Sequence, residues 1–143
     1  MDTKQTVTLL NDVYQNCAAN IESMDTLLSK VNDPMLKGEF SRIKNDHSNL
    51  SAETVGQLAQ YGAEPIELSK AERATIWSYT QAQSMFINSK RMAEIVFDAG
   101  NSGIKCVMKS VNANAQANQT AKDIAEKYIN IQQNHANELR CYL

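Results

Sequence analysis

The two histidines of the chain, His47 and His135, are the side chains best suited to metal chemistry. They occupy related settings, NDHSNL and NHANEL, in which an asparagine follows each histidine two positions later. Cys17 is a third candidate ligand, because it lies about as far before the turn at residues 32–33 as His47 lies after it. Imidazole and thiolate ligands together suit zinc or copper better than iron. We favour the interpretation that both imidazoles are neutral core side chains, bonded to nearby hydroxyl or amide groups or to a buried water. The alternative is a remnant metal site formed by His47, His135 and Cys17.

A standard di-iron centre is not expected from the same positions. Such a centre takes one inward carboxylate from each of two helices and a Glu-x-x-His motif from each of two others. The residue three positions before His47 is Lys44, and the residue three positions before His135 is Gln132. Neither side chain supplies the negative charge that offsets two iron ions. The two histidines of the di-iron pattern are therefore present without its carboxylates, so the set of metal ligands is degenerate.

Apolar residues recur at intervals of three and four along most of the chain, which is the pattern of helices packed in a bundle. The first such run is Val7, Leu10, Tyr14, Cys17, Ile21, Met24, Leu28 and Val31. The spacing predicts a single domain, 1–143, in which each helix buries one stripe. The predicted helices cover about 3–31, 34–61, 69–88, 91–113 and 118–142.

The connections between these helices predict how they are arranged. Asp33 as N-cap and Pro34 at the first helical position leave so short a link that the first two helices form an antiparallel hairpin. Ser69 and Glu72 form a capping box that begins a separate helix. The apolar stripe then slips in phase near residue 88, and an unbroken helix from Ser69 would reach roughly 65 Å, far beyond its neighbours. We therefore predict an all-α fold of two antiparallel hairpins joined by a long helix-containing crossover, the ferritin-like form of the four-helix bundle.

Three stretches of the chain carry a family resemblance: LLNDVYQNCAANIESMDTLLSKVNDPMLK, the turn QYGAEP, and MAEIVFDAGNSGIK. With the helical pattern around them, they resemble a group of small uncharacterised bacterial proteins with ferritin-like four-helix bundles. The likeness spans most of the chain. The resemblance implies the fold and no agreed activity, because many members of the group are known only as bundles of unknown function.

Charge and composition limit the partners and the compartment. The net charge of −2 and the pI near 5.7 give no electrostatic basis for binding a nucleic acid. The N-terminal stretch has no signal-peptide pattern, and no apolar run approaches the ~18 residues of a membrane span. The three cysteines are widely spaced and form no CxxC motif, which is typical of free thiols in a reducing cytosol. We predict a cytoplasmic protein with no nucleic-acid and no membrane partner.

Two further groups of residues have open interpretations. Gly100 and Gly103 fall on the inward stripe of their helix, which indicates close approach of another helix or, alternatively, a small cavity. The crossover carries an apolar group, which either covers the ends of the bundle or forms a homodimer interface. That group consists of Trp77, Tyr79, Met85 and Phe86. We favour close approach for the glycines and a homodimer for the crossover.

No catalytic residue is assigned, because the chain lacks a GxSxG elbow and no GK[ST] follows the paired glycines. The sequence therefore predicts a non-catalytic, ferritin-like bundle with a structural or protein-interaction role and no cofactor. The alternative is a metal-binding protein or oxidase that uses the two core histidines with a zinc, copper or iron ion. A third hypothesis is a carrier that holds a small ligand in an apolar cavity beside the two glycines.

Overall fold

The computed structural model describes residues 1–84 and 88–143, and the side chains of all of these except 82–84. Within the described residues the protein is helical and contains no β-strand, as the apolar spacing predicts. Met85 and Phe86, which the sequence assigns to the apolar group of the crossover, lie outside the described residues. The helices are α1 (Thr3–Leu28), α2 (Pro34–Gln60), α3 (Lys70–Ser84), α4 (Ser89–Ala113) and α5 (Gln119–Leu139), with a final 3-10 turn over Arg140–Tyr142.

The hairpin of α1 and α2 turns on the predicted capping residues. The Asp33 side chain accepts hydrogen bonds from the backbone N–H groups of Met35 and Leu36, at 2.9 and 3.0 Å. Pro34 takes the first helical position, where its missing N–H leaves no bond unmade. α2 ends before Gly62, whose φ of 63° is the left-handed conformation that a residue without Cβ adopts freely.

The crossover contains its own helix. Ser69 and Glu72 make the two reciprocal hydrogen bonds of a capping box, at 3.0 and 3.1 Å, and α3 begins at the next residue, Lys70. Asn88 has extended backbone angles, φ −89° and ψ 177°, and its side chain caps α4 by accepting from the N–H of Arg91. The phase slip in the sequence therefore marks a real break, since an unbroken helix would require helical angles at Asn88.

The helices pack as two pairs. α1 lies against α2, α4 lies against α5, and the second pair contacts the first through α1 with both α4 and α5 and through α2 with α5. α3 lies against α1 and also touches α4. Among the described residues, no helix combines the length and the hydropathy that a membrane span requires.

The buried apolar residues form two clusters, one toward each end of the helices. On α2, Phe40 and Ile43 belong to one cluster, and Leu50 and Leu58 belong to the other. The same division holds on α5, where Leu139 lies in the first cluster and Tyr128 in the second. His47 and His135 fall between these positions on their helices, so a polar layer separates the two apolar clusters.

Candidate functional site

The polar layer brings the two predicted histidines together. The rings of His47 on α2 and His135 on α5 are stacked, with a centroid distance of 6.2 Å and an interplanar angle of 28°. The edge of the Tyr128 ring faces His47 at a centroid distance of 5.7 Å. The pairing of the histidines follows from their equivalent positions between the two apolar clusters.

His47 is a neutral imidazole with one free nitrogen. It is fully buried, and its Nδ1 donates to the carbonyl oxygen of Ile43 one turn earlier, at 2.7 Å. That bond places the proton on Nδ1 and leaves Nε2 as a buried acceptor, for which the described residues provide no partner. Burial lowers the pKa of His47 to about 4, although the bond to Ile43 acts in the opposite direction. At neutral pH the ring is therefore uncharged, in the form that can accept a proton or bind a metal.

His135 lies among three carboxyl groups. Its Nδ1 is 3.5 Å from Glu138 Oε2 and 3.8 Å from Glu39 Oε1. Its Nε2 is 2.8 Å from Asp46 Oδ2, but the carboxylate approaches outside the angle that a hydrogen bond requires. Both ring nitrogens are thus buried without a hydrogen-bond partner among the described residues, although acidic oxygens lie around them.

Glu39 and Glu138 form a carboxyl pair between α2 and α5. Burial raises the pKa of Glu39, but hydrogen bonds from Glu138 and Arg42 outweigh it, and the net shift is downward. The hydrogen bond to Glu39 raises the pKa of Glu138, and burial adds to that shift. Arg42 also forms an ion pair with Glu39. The pKa values of the two carboxyl groups are therefore shifted in opposite directions, downward for Glu39 and upward for Glu138.

One group of potential metal ligands stands out among the described residues. One ligand atom each from Glu39, His135 and Glu138 lies within 4.8 Å of the other two. This separation is short enough for a single ion to contact all three after small side-chain rotations, given ligand bonds of ~2 Å. The group joins α2 of the first helix pair to α5 of the second.

Cys17 is not part of this group. It is fully buried in the apolar cluster that contains Leu9, Val13 and Tyr128, and burial raises the pKa of its thiol to about 12. A thiol binds metal as the thiolate, and this environment strongly disfavours the thiolate. The apolar spacing that placed Cys17 at the depth of His47 also placed it inside the hydrophobic core.

The sequence interpretation did not identify Glu39 and Glu138. Glu138 follows His135 by three residues, and the di-iron pattern places the glutamate three residues before the histidine. A search in both directions along the helix would have found it, because i, i+3 pairs share a face in either order. Glu39 is harder to recognise from the sequence, because its only mark is a position one turn before Ile43, on the stripe of α2 that leads to His47.

Gly103 of α4 lies directly against Tyr128 of α5. A Cβ atom at Gly103 would overlap the Tyr128 hydroxyl and lie 3.3 Å from Tyr128 Cζ. That hydroxyl accepts hydrogen bonds from Asn20 Nδ2 at 3.1 Å and from Gln132 Nε2 at 2.9 Å. At Gly100 the corresponding Cβ would make only an ordinary contact, 3.6 Å from Gln132 Oε1. The close approach of Tyr128 therefore explains the glycine at position 103. No such contact requires a glycine at position 100.

Comparison with known proteins establishes the fold alone. No protein-family model matches the chain, and no curated protein matches it at a significant level. The chain is similar in structure to a conserved hypothetical protein, rv2844, from Mycobacterium tuberculosis, solved by crystallography. The TM-score is 0.73 over 100% of both chains, at 14% sequence identity. An all-helical structure with this overall fold therefore exists in another protein, and identity at this level transfers no activity.

Proposed function

We propose that the protein is a non-catalytic helical bundle that holds one divalent metal ion between its two helix pairs. The observation that supports this is the group of Glu39, His135 and Glu138, whose ligand atoms lie within 4.8 Å of one another. Glu39 Oε1 and both nitrogens of His135 are buried and lack hydrogen-bond partners. Buried polar atoms without partners are costly, and an ion would satisfy Glu39 Oε1 and His135 Nδ1, the ring nitrogen that lies near both glutamates, at the same time.

The ion would serve a structural role. Glu39 lies on α2, whereas His135 and Glu138 lie on α5, so coordination would connect one helix pair to the other. Glu39 and His135 are each only 5% exposed, which leaves little room for a substrate beside them. The order of the helices also favours the ferritin-like arrangement, in which metal sites lie in the core between facing helices.

Zinc is the ion that we expect at this site. Imidazole nitrogen and carboxylate oxygen are both ligands of zinc, and hard carboxylates are poor ligands for the soft Cu(I) ion. Binding should weaken as the pH falls, because only the ionised carboxylates of Glu39 and Glu138 coordinate a metal. The ion would add positive charge beside Glu39, which already forms an ion pair with Arg42.

A zinc titration of untagged protein tests the site. The background should be the Cys106→Ser and Cys141→Ser variant, because these exposed thiols could bind zinc themselves. We expect one zinc ion per chain and at least tenfold weaker binding in Glu138→Gln, which removes a ligand charge. Glu126→Gln is the matched control, since Glu126 is an exposed glutamate of the same helix outside the group. Absence of zinc binding, or equal binding in both variants, would refute the proposal.

The wider setting of this proposal follows from the sequence. We infer a bacterial, cytoplasmic protein, which the family resemblance and the three free cysteines support. The net charge of −2 supports the absence of a nucleic-acid partner.

A second candidate function is protein interaction through α3, beginning with a homodimer. Trp77 and Tyr79 are 54% and 55% exposed, and large aromatic side chains are enriched in interface cores. Sedimentation of wild type and Trp77→Gln tests this role, with Met35→Gln as control because Met35 is 75% exposed on α2. We expect only Trp77→Gln to shift the protein toward the monomer. A wild type that is monomeric at high concentration would exclude the homodimer.

A further inference from the structure

A pocket of about 470 Å³ lies between α1, α3 and α4, and Tyr128 of α5 also lines it. Its size is within the range of sites that bind small molecules, ~300–1,000 Å³. Its walls are mainly apolar, and none of the described residues that line it carries a charge. The apolar walls come from Met24, Leu27, Ile76, Ile95 and Val96. Glu39, His135 and Glu138 do not line the pocket, so it is separate from the proposed metal site.

Tyr128 places a hydrogen-bond donor at the inner end of this pocket. Its hydroxyl oxygen already accepts from Asn20 and Gln132, which occupies both lone pairs. The hydrogen of the same hydroxyl has no acceptor among the hydrogen bonds of the described residues. Gly103, which also lines the pocket, lacks the Cβ that would cover this hydroxyl. The O–H group is therefore free to donate to a molecule in the pocket.

We infer that the pocket binds a neutral, mainly apolar small molecule that carries one hydrogen-bond acceptor, such as a carbonyl group. The acceptor lies against the Tyr128 hydroxyl, and the apolar part packs along α1 and α4. The described wall residues favour a neutral ligand over a charged one, because they offer no counter-charge and burial of an unpaired charge is strongly unfavourable. The inner position of the donor favours a small molecule over a side chain from a second copy, which would enter from the surface.

Nile red, a neutral apolar dye with one carbonyl acceptor, is a suitable probe. We expect saturable fluorescence enhancement with one dye per chain. Ala99→Phe places a large side chain on the pocket wall and should abolish binding. Ala52→Phe is the matched control, because Ala52 is an exposed helical alanine outside the pocket. Equal binding by both variants would show that the dye binds elsewhere, and no binding by wild type would overturn the inference directly.

The exposed cysteines report where the dye binds. Cys106 lines the pocket, Cys141 does not, and both are exposed. Saturating Nile red should slow the reaction of Cys106 with a thiol reagent in the Cys141→Ser variant. The same dye concentration should leave the reaction of Cys141 unchanged in the Cys106→Ser variant. Equal rates with and without dye at Cys106 would contradict binding in this pocket.

Tyr128→Phe separates recognition of the acceptor from the shape of the pocket. We expect its affinity for Nile red to fall roughly fivefold, the factor that corresponds to one neutral hydrogen bond. Its affinity for pyrene, an apolar hydrocarbon without an acceptor, should not change. An equal loss for both probes would show that the hydroxyl only maintains the pocket. Dissociation of a dimer by Nile red would assign the pocket to a second copy of the chain.

Discussion

The contact between Gly103 and Tyr128 gives a prediction in which two similar substitutions have opposite effects. Alanine is favoured over glycine in a helix by about 1 kcal/mol, so Gly→Ala within α4 should stabilise the protein unless the new methyl group meets an obstacle. Gly100 meets none, because the added Cβ would lie 3.6 Å from Gln132 Oε1. We therefore expect Gly100→Ala to raise the free energy of unfolding by up to about 1 kcal/mol.

Gly103→Ala meets a rigid obstacle. The new Cβ would overlap the hydroxyl of Tyr128, and it would lie only 3.3 Å from Tyr128 Cζ and 3.4 Å from Gln132 Nε2. Tyr128 is fully buried, so its ring cannot swing into solvent without disturbing the core. Overpacking of a core costs about 1–3 kcal/mol, and each displaced hydrogen bond to the hydroxyl costs about 1 kcal/mol more. After the gain in helix propensity, Gly103→Ala should lower the free energy of unfolding by about 1–3 kcal/mol.

Urea unfolding of the two variants measures this difference, provided that the dependence of stability on urea stays the same. A double-mutant cycle then tests its cause. In a Tyr128→Phe background the closest obstacle is absent, so Gly103→Ala should be less harmful than in wild type. Stabilisation by Gly103→Ala, or an equal effect in both backgrounds, would refute close approach as the reason for this glycine.

Two further predictions concern titration and thiol access. The pKa of His47 is about 4 in the folded protein against 6.5 for the free side chain, so the unfolded chain binds more protons between these values. The part of the unfolding free energy that depends on neutral His47 should be complete above pH 6.5. It should fall by about 3 kcal/mol as the pH drops to 4. If the stability of His47→Leu depended on pH to the same extent, this prediction would be contradicted. In the native protein a thiol reagent should react with the two exposed cysteines, and Cys17 should react only when the protein unfolds. If all three thiols reacted at the same rate in the native protein, Cys17 would not be buried as described.

The positions of the helices were largely predictable because they depend on local signals. Asp33 with Pro34 and Ser69 with Glu72 satisfy backbone groups within one turn, so neighbouring residues in the sequence determine them. The last helix was predicted to begin near residue 118. The structure uses Asn118, whose side chain accepts from the N–H of the residue three positions later.

The candidate site was only partly predictable, because its residues come from two helices and its chemistry depends on burial. The apolar spacing placed His47 and His135 in the core, and the structure shows them stacked. The same spacing could not distinguish Cys17, which is surrounded by apolar side chains, from a residue of the polar layer. Glu138 borders the layer from an exposed position, so no apolar periodicity marks it.

By itself the polar layer lowers the stability of the fold. Because it is present in spite of this cost, it is informative about function. Apolar side chains at the positions of His47 and His135 would join the two hydrophobic clusters into one continuous core. Instead the layer contains four buried atoms without hydrogen-bond partners among the described residues: Glu39 Oε1, His47 Nε2 and both nitrogens of His135. Each such atom costs about 1–3 kcal/mol.

One effect of the polar layer is to make the packing of α2 against α5 specific. A displacement of α5 along α2 by one turn would place His135 opposite apolar residues, so the layer selects a single register of the two helices. Register alone requires one polar pair, which the histidines provide. It does not require Glu39 and Glu138 to lie together beside His135, with Arg42 paired to Glu39. A carboxyl pair and an imidazole that converge on one point are explained by an ion that all three bind, and this is the reason to test zinc first.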